Sequence, residues 1–480
     1  MTQASWARLD NASNIFLAAR SDADPKVFRI SADMDADVDA ELLQAALDRT
    51  FDRYKLYHSV LRGGVFWYYL QESTLRPTVT REQLHTCAPL YKADRRNLLF
   101  RVIYHRRRIS LEIFHALSDG TGALWFLTDL VQAYLGADRC AAADDFASTS
   151  ADNLDPHAVG AERPDTHQLT TDSFVHYFHR GSEPLASFNA GAEDATVAQA
   201  AVARGALATA ATAATDVATR TVSTVTRWVR ARPKRVYRVR GTRTPDNRPR
   251  LVELTMPADQ VLARARAEHV SITMYLTALF FLAVRTSAGT LGRSRTLSAS
   301  VPINLRQFFP STSARNFFAT VRVEHTFGEG ADELGDLCRS LEAQFRPRAT
   351  PQALDQKLRR FIRFEQSPML RIFPRVLKDV VLRAINRGNN RGLSVAVSNL
   401  GRVVLPEPAE SRVGRMLFHV SAVRPQFCAI SHDGLLTVSF TSPFIETDHV
   451  RDFVRQLTDS GVDVSVAAAR ATEAELAEVD

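Results

Sequence analysis

The chain has 480 residues, of which 45% are hydrophobic and 24% are charged. This length exceeds what one hydrophobic core usually organises, so we expect two domains. The formal net charge of +7 is compatible with nucleic acid, a membrane surface or an anionic small molecule as partner. Aromatic residues are not interleaved with the basic ones as in familiar nucleic-acid modules, which argues against nucleic acid.

The cysteines and the hydropathy pattern exclude further classes. The four cysteines are scattered and form no C-x-x-C pair, so no disulfide framework and no metal site is predicted. The N-terminus lacks the basic start and the apolar run of a signal peptide. The longest apolar stretch, residues 274–284, is too short to span a bilayer and predicts a core helix. We therefore expect a cytoplasmic protein without a transmembrane segment.

Patterns in the first third of the chain predict two helices followed by two β-hairpins. The first helix or turn covers residues 5–20, where Asp10, Asn11 and Asn14 could cap the helix or line a cleft, with capping favoured. The second covers residues 32–53 and starts at Asp35 or Asp37. The hairpin strands are expected at residues 59–61 with 65–70, and at residues 97–104 with 108–114.

The end of the second hairpin carries the most distinctive pattern in the sequence. His115 directly follows the strand, and Asp119 and Gly120 stand where a helix extending to Leu135 should begin. An imidazole held at a strand exit and facing a cleft is a common arrangement for a catalytic base. No other histidine of this chain has an aspartate four residues later. A buried, hydrogen-bonded histidine followed by an ordinary helix cap explains the spacing equally well.

The middle of the chain has a different composition. Residues 136–163 are rich in Ala, Asp and Ser and predict a surface loop. Residues 181–225 consist mainly of Ala, Thr, Val and Gly, which predicts an inserted linker that is partly helical or disordered. The basic stretch at residues 227–243 is either a linker entering an edge strand or a site that attracts phosphates or an acidic protein.

The remainder alternates between strand and helix patterns, which predicts an α/β or α+β protein of two domains. We expect an N-terminal domain over residues 1–180, a linker or insertion over 181–245 and a C-terminal domain over 246–480. The predicted strands of the C-terminal domain are 251–256, 296–301, 317–323, 394–397, 415–423, 426–432 and 435–441. Its predicted helices are 257–269, 274–285, 331–345, 352–385 and 447–461.

The sequence HALSDG at residues 115–120 resembles the H-x-x-x-D-G signature of the CoA-dependent acyltransferase superfamily. This superfamily includes chloramphenicol acetyltransferase and the condensation domains of peptide synthetases. Three further segments resemble bacterial alcohol-acetyltransferase-like members: WARLDNASNIF at 6–16, VPINLRQFFPSTSARNFF at 301–318 and SNLGRVVLP at 398–406. The D-F-G-W-G motif of the plant BAHD branch is absent.

The resemblance implies a fold and an activity. The fold would be two chloramphenicol-acetyltransferase-like domains, each a mixed sheet with flanking helices, and an active-site tunnel at their interface. The activity would be transfer of an acyl group from acyl-CoA, with acetyl-CoA as one candidate, to an alcohol or amine. His115 would be the general base, while Asp119 and Gly120 would shape the turn. Arg306 matches the position of the arginine that pairs with this aspartate from the other domain.

The tetrahedral oxyanion of such a reaction needs a hydrogen-bond donor, for which Ser398, Asn399 and Gly401 are candidates. Formation of a turn explains the same three residues. No tightly bound cofactor is expected, since acyl-CoA is a co-substrate. Two other functions stay open: acyl transfer or condensation with an acyl carrier protein in lipid or peptide biosynthesis, and a catalytically silent binding protein of the same fold.

Overall fold

Fifteen strands and twelve α-helices are seen in the computed structural model, which describes residues 6–64, 67–93, 95–136, 172–178, 235–289, 291, 295–365 and 375–477. We refer to residues 6–178 as the N-terminal half and to residues 235–477 as the C-terminal half. The strands, numbered in chain order, are β1 (Trp6–Arg8), β2 (Val27–Met34), β3 (Ser59–Gly63), β4 (Tyr68–Glu72), β5 (Thr80–Arg81), β6 (Phe100–His105), β7 (Arg108–Phe114), β8 (Arg250–Pro257), β9 (Thr296–Asn304), β10 (Phe318–Thr326), β11 (Val395–Val403), β12 (Val413–Val420), β13 (Gln426–His432), β14 (Leu435–Ser442) and β15 (Ser465–Ala468). The helices are α1 (Asn11–Ala19), α2 (Ala40–Arg53), α3 (Gly120–Tyr134), α4 (Ser173–Phe178), α5 (Ala258–Ala267), α6 (Ile272–Ser287), α7 (Leu334–Phe345), α8 (Pro351–Glu365), α9 (Arg375–Arg391), α10 (Ala409–Arg412), α11 (Asp448–Asp459) and α12 (Glu473–Ala477).

The strands form three sheets. A seven-stranded sheet has the order β10-β9-β11-β13-β14-β8-β15, a five-stranded sheet has the order β12-β2-β7-β6-β5, and a small one has the order β1-β4-β3. The large sheet is mixed, because β11 runs parallel to both β9 and β13 while its other neighbours pair antiparallel. Helices pack against the sheets, so the predicted α/β fold with mixed sheets and flanking helices is confirmed.

The strand β12 joins the two halves. It follows β11 in the chain, yet it pairs antiparallel with β2 of the N-terminal half, with Phe418 opposite Ile30. The chain then returns to the large sheet through β13. The prediction that residues 415–423 complete the sheet of the C-terminal domain is therefore wrong. The apolar pattern of this segment indicates a strand, but it does not determine which of the two sheets supplies the hydrogen-bonding partner.

Two hydrophobic cores lie on the two sides of this junction. One is built around the large sheet and α6, whose buried residues include Met274, Phe280 and Phe281. This confirms the core helix predicted from the apolar stretch at residues 274–284. The other is built around the five-stranded sheet and α3. It also takes up Cys428 and Ile430 from β13, which explains why the two halves bury surface against each other.

Helix starts follow local capping chemistry. Of the three candidates at the start of α1, Asp10 is the cap, with its carboxylate accepting from the backbone N–H of Ser13 at 2.7 Å. The start of α2 was predicted at Asp35 or Asp37, but the cap is Asp39, which accepts from the backbone N–H of Glu41 at 2.9 Å. A cap side chain reaches only N–H groups two or three residues later, so of the aspartates at 35, 37 and 39 only Asp39 can accept from Glu41 and Leu42.

Other predictions concern segments that are described in part. The hairpins at β3–β4 and β6–β7 are present, although the residues that join β3 to β4 are described only in part. The helix predicted over residues 352–385 is seen as α8 and α9, with residues 366–374 outside the described chain. The predicted loop lies outside the described residues except for Gly136, and the Ala/Thr-rich linker lies entirely outside them. Of the basic stretch, residues 235–243 are described and form no helix or strand.

Within the described chain, no single helix is both long and apolar enough to cross a membrane. The consecutive helices α5 and α6, which meet at 84°, meet the length and composition criteria only when taken together.

Candidate active site

His115 lies where the two halves meet. Its backbone N–H donates to the carbonyl of Lys26 at 2.8 Å, which continues the β2–β7 pairing by one residue and fixes the ring at the strand exit. The ring of Phe16 stacks on the imidazole with a centroid distance of 3.8 Å, and Phe28 packs edge-on at 4.9 Å. Phe318 approaches from the C-terminal half at 5.8 Å. The half-buried imidazole is therefore held between aromatic rings from both halves.

Asn316 fixes the orientation of this imidazole. Its Oδ1 lies 3.2 Å from Nδ1 of His115, and its Nδ2 donates to the backbone carbonyl of His115 at 2.8 Å and to the hydroxyl of Ser13 at 3.0 Å. Because Nδ2 of Asn316 already donates to two acceptors, it is Oδ1 of Asn316 that faces the imidazole. This oxygen can only accept, so Nδ1 of His115 carries the proton. The lone pair of the neutral ring is then on Nε2, which has no hydrogen-bond partner among the described residues.

Burial lowers the pKa of His115 to about 4. Hydrogen bonding to its own backbone, the carboxylate of Asp119 and the hydrogen bond to Asn316 act in the opposite direction, but burial dominates. The imidazole is therefore neutral near pH 7 and has a free lone pair. The ring is therefore a weaker base than an ordinary histidine, because its buried surroundings disfavour the imidazolium.

Asp119 and Arg306 form the ion pair that the resemblance implied. The Arg306 guanidinium donates through Nη1 to Oδ2 of Asp119 at 2.7 Å, and each side chain is only 7% exposed. Asp119 also caps α3 through the N–H of Gly122 at 3.0 Å and accepts from the N–H of Phe317 at 2.8 Å. The carboxylate thus binds the turn after His115 to the C-terminal half. It does not face the imidazole as a catalytic-triad partner would.

The other nitrogen of the guanidinium completes this connection. Nη2 of Arg306 donates to the carbonyls of Ser313 and Arg315, both at 2.7 Å. These bonds fix the loop that leads to Asn316, the residue that holds His115. The ion pair therefore fixes two sides of the site at once.

The glycines of the turn allow close approach between the halves. A Cβ at Gly120 would lie 2.5 Å from a methyl group of Leu400, which is a flexible side-chain end. A Cβ at Gly122 would lie 2.2 Å from the carbonyl oxygen of Ala314, a backbone atom. The second glycine is thus the stricter requirement, although it lies outside the H-x-x-x-D-G pattern.

The strand predicted at residues 394–397 places the oxyanion candidates after its end. In the structure β11 continues to Val403, so the candidates lie within the strand. Asn399 donates through Nδ2 to the hydroxyl of Thr273 at 3.0 Å and accepts from the N–H of Gly401 at 2.8 Å. The strand has an irregular register after Asn399, and Gly401 has a positive φ of 79°. The structure therefore brings Asn399 and Gly401 together in a bulge.

The alternation of β11 separates the candidates by face. Val397 packs in the core of the C-terminal half, whereas Leu400 packs against the core that contains α3. Successive side chains of a strand point to opposite faces, so Ser398 shares the face opposite to Val397 and Asn399. Of the three candidates, Ser398 is the one on the side of the N-terminal half.

Two residues of the site were missed in the sequence. Asn316 and Phe16 lie inside segments that were noted for their resemblance, but neither was assigned a role. A lone polar residue between Arg315 and two phenylalanines was the available signal for Asn316. Their contacts to His115 span 201 and 99 positions of the chain, and no local pattern determines such contacts.

No family model matches the sequence, and neither does any curated protein. Solved structures do share the fold. TRI101 of F. graminearum, complexed with coenzyme A and T-2 mycotoxin, superposes with a TM-score of 0.55 at 10% identity, covering 96% of this chain and 99% of its own. Polyketide synthase associated protein 5 of Mycobacterium tuberculosis has a TM-score of 0.54 at 14% identity, with coverages of 95% and 97%. The first condensation domain of the calcium-dependent antibiotic synthetase has a TM-score of 0.52 at 14% identity and 96% coverage of both chains. The chain therefore shares its fold with these three proteins over nearly its whole length.

Proposed function

We propose that this protein is an acyltransferase that moves an acyl group from acyl-CoA to an alcohol or amine acceptor, with His115 as general base. The observation that carries this proposal is the imidazole itself. Asn316 holds its Nδ1, its Nε2 is free of described partners, and rings from both halves enclose it. The shared fold with a protein complexed with coenzyme A supports the choice of donor.

The reaction would proceed by direct attack. Nε2 of His115 accepts the proton of the acceptor hydroxyl or amine while the acceptor atom bonds to the thioester carbonyl carbon. The carbon–sulfur bond of the tetrahedral intermediate then breaks, and the imidazolium returns the proton to the departing thiolate. Because burial makes the ring a weak base, proton transfer must accompany bond formation. No acyl-enzyme is needed, since a site between two halves can hold both substrates together.

The oxyanion of the intermediate needs a donor, and Ser398 is the candidate that its strand face favours. The hydroxyl of Ser398 has no described hydrogen-bond partner, while the side chain of Asn399 is engaged with Thr273 on the opposite face. Asn399 and Gly401 would instead shape the bulge that presents this part of β11. A tunnel that admits donor and acceptor from two sides is part of the same proposal.

The test is release of free thiol from a panel of acyl-CoAs, with and without alcohols and amines. Acceptor-dependent release, with the acylated acceptor detected by mass spectrometry, would support the proposal. Release that requires an acyl carrier protein instead of CoA would support the second candidate, which the fold of the condensation domain favours. No release from any thioester would leave a binding protein of the same fold and contradict both transferase proposals.

A further inference from the structure

A cavity of about 480 Å³ opens beside α1, outside the immediate surroundings of His115. It is bounded by the end of α1, the C-terminal part of α9 and the segments around Val239 and Val423. Six of its fifteen lining residues are arginines, and no carboxylate is among them. We call this space the arginine cavity. Its six arginines are Arg20, Arg238, Arg383, Arg387, Arg391 and Arg424.

Like charges are concentrated here without evident compensation. Arg383, Arg387 and Arg391 follow each other at four-residue intervals on α9, so they share one face, where like charges repel. No salt bridge to these three is seen among the described residues. The carboxylate of Asp379, one turn earlier, accepts from the hydroxyl of Tyr68 at 2.9 Å.

The deeper arginines are compensated only in part: Arg424 donates through Nη2 to the carbonyl of Asn390 at 3.3 Å, and Arg20 lies over the ring of Tyr91. The Nη1 atom of Arg20 is buried and has no hydrogen-bond partner among the described residues. Burial lowers the pKa of Arg424 to about 10, so this guanidinium is still charged at neutral pH. Asp24, the carboxylate that acts on Arg424, is itself occupied by Lys26 and by the hydroxyl of Ser421. A folded chain tolerates such a cluster more easily when an anionic ligand neutralises it.

The position of the cavity connects it to the candidate base. Ala18, Ala19 and Arg20 line the cavity, and Phe16 of the same helix stacks on His115. Phe16 and Arg20 are four residues apart, or about 6 Å along a helix axis. The anionic end of a ligand bound among the arginines would therefore lie about one helical turn from the ring that stacks on His115.

We propose that the arginine cavity binds the phosphate groups of a phosphopantetheine-type thioester. Guanidinium groups bind phosphate oxygens through paired, charge-assisted hydrogen bonds, and several around one cavity select for a ligand with more than one negative charge. This inference rests on the proposed acyl transfer, because that reaction supplies a thioester donor. The same phosphate chemistry occurs in free CoA and in the prosthetic arm of a carrier protein, and the experiment distinguishes the two sources.

The variant Arg383→Ala/Arg387→Ala removes two exposed guanidinium groups of α9, so the fold should survive. The matched control is Arg346→Ala/Arg455→Ala, two exposed arginines outside the cavity. Binding of CoA is measured by calorimetry, independently of catalysis. Binding of a holo-carrier protein is compared with that of its apo form. Turnover is measured with acyl-CoA and with an acyl-pantetheine that lacks phosphates.

We expect the cavity variant to bind CoA at least about tenfold more weakly than the wild type and the control. Turnover of acyl-CoA should fall in kcat/KM, while turnover of acyl-pantetheine should not change. A loss confined to the holo-carrier protein would instead identify the carrier-bound arm as the source. Unchanged binding of both ligands, or an equal loss with acyl-pantetheine, would overturn the proposal. Absence of turnover combined with arginine-dependent CoA binding would contradict the proposed reaction but support the cavity.

Discussion

At the scale of single residues, the environment of His115 lowers the basicity of the imidazole but leaves the lone pair of Nε2 free to accept a proton. Burial keeps the ring neutral, and Asn316 keeps the proton on Nδ1, so Nε2 is available without prior deprotonation. The pKa of this ring lies far below that of the acceptor, so the ring cannot deprotonate the acceptor to a useful extent before the bond forms. The benefit of this arrangement must then come from geometry, which the stacked Phe16 and the strand exit provide.

Replacing His115 with Ala should lower acyl turnover by at least about a hundredfold, since general-base catalysis contributes roughly 10²–10⁴-fold. Initial rates of thiol release measure the loss, and thermal melting checks the fold. The control is His105→Ala, which changes an exposed histidine at the end of the neighbouring strand β6. Near-normal turnover of His115→Ala would refute the assignment.

The pH dependence of kcat/KM tests the environment of the ring. Because the pKa of His115 is lowered to about 4, kcat/KM should stay flat from pH 8 to about pH 5 and fall only below that. The unfolded chain, with an ordinary pKa near 6.5, binds this proton earlier, so stability also declines as the pH falls from 6.5 towards 4. Rates should therefore be measured by brief exposure to each pH, with the folded fraction monitored.

Asn316→Asp separates a positioning role from a merely structural one. A carboxylate beside Nδ1 favours the imidazolium and should raise the pKa of His115 by about 1–3 units. The acid limb of the kcat/KM profile should move to higher pH by the same amount, while Asn316→Ala should lower kcat without such a shift. If the profile of Asn316→Asp coincides with that of the wild type, Asn316 does not act on the imidazole.

At the scale of elements, the start of α3 and the loop before β10 are joined by one buried ion pair. Arg306→Ala should lower the free energy of unfolding by about 3–5 kcal/mol, because Asp119 would keep a buried charge without its partner. Urea unfolding measures this change. Arg412→Ala is the control, since its pair with Asp35 is about half exposed and should contribute less than about 1 kcal/mol. Similar losses in both variants would contradict the role of Arg306.

The part of the site that could be predicted from the sequence is the part with a local cause. His115, Asp119 and Gly120 stand in one turn, where strand exit and helix cap each leave a recognisable residue type. Arg306 was found through its resemblance to a known segment. Asn316 could not be found in this way. It lies 201 positions from His115, and their contact depends on how the two halves pack together. The partner of β12 was missed for the same reason.

At the scale of the whole molecule, the two halves are connected by exchange of a strand as well as by side chains. A fragment of residues 1–178 would lack β12, leaving β2, which is buried in the whole protein, as an open edge. We expect this fragment to aggregate when expressed alone and to be recovered in soluble form when it is co-expressed with residues 235–480. Size-exclusion chromatography distinguishes these outcomes, and a monomeric, folded fragment would show that β12 is dispensable.

The route of β12 also has a consequence for synthesis in the cell. The backbone N–H of Val27, at the start of β2, donates to the hydroxyl of Ser421, which emerges from the ribosome 394 residues later. At about 5–20 residues per second, the nascent strand waits on the order of 20–80 s for its neighbour. During that time the backbone edge of β2 that pairs with β12 in the folded protein has no partner strand. We expect the yield of native protein to depend on chaperone capacity and on translation speed.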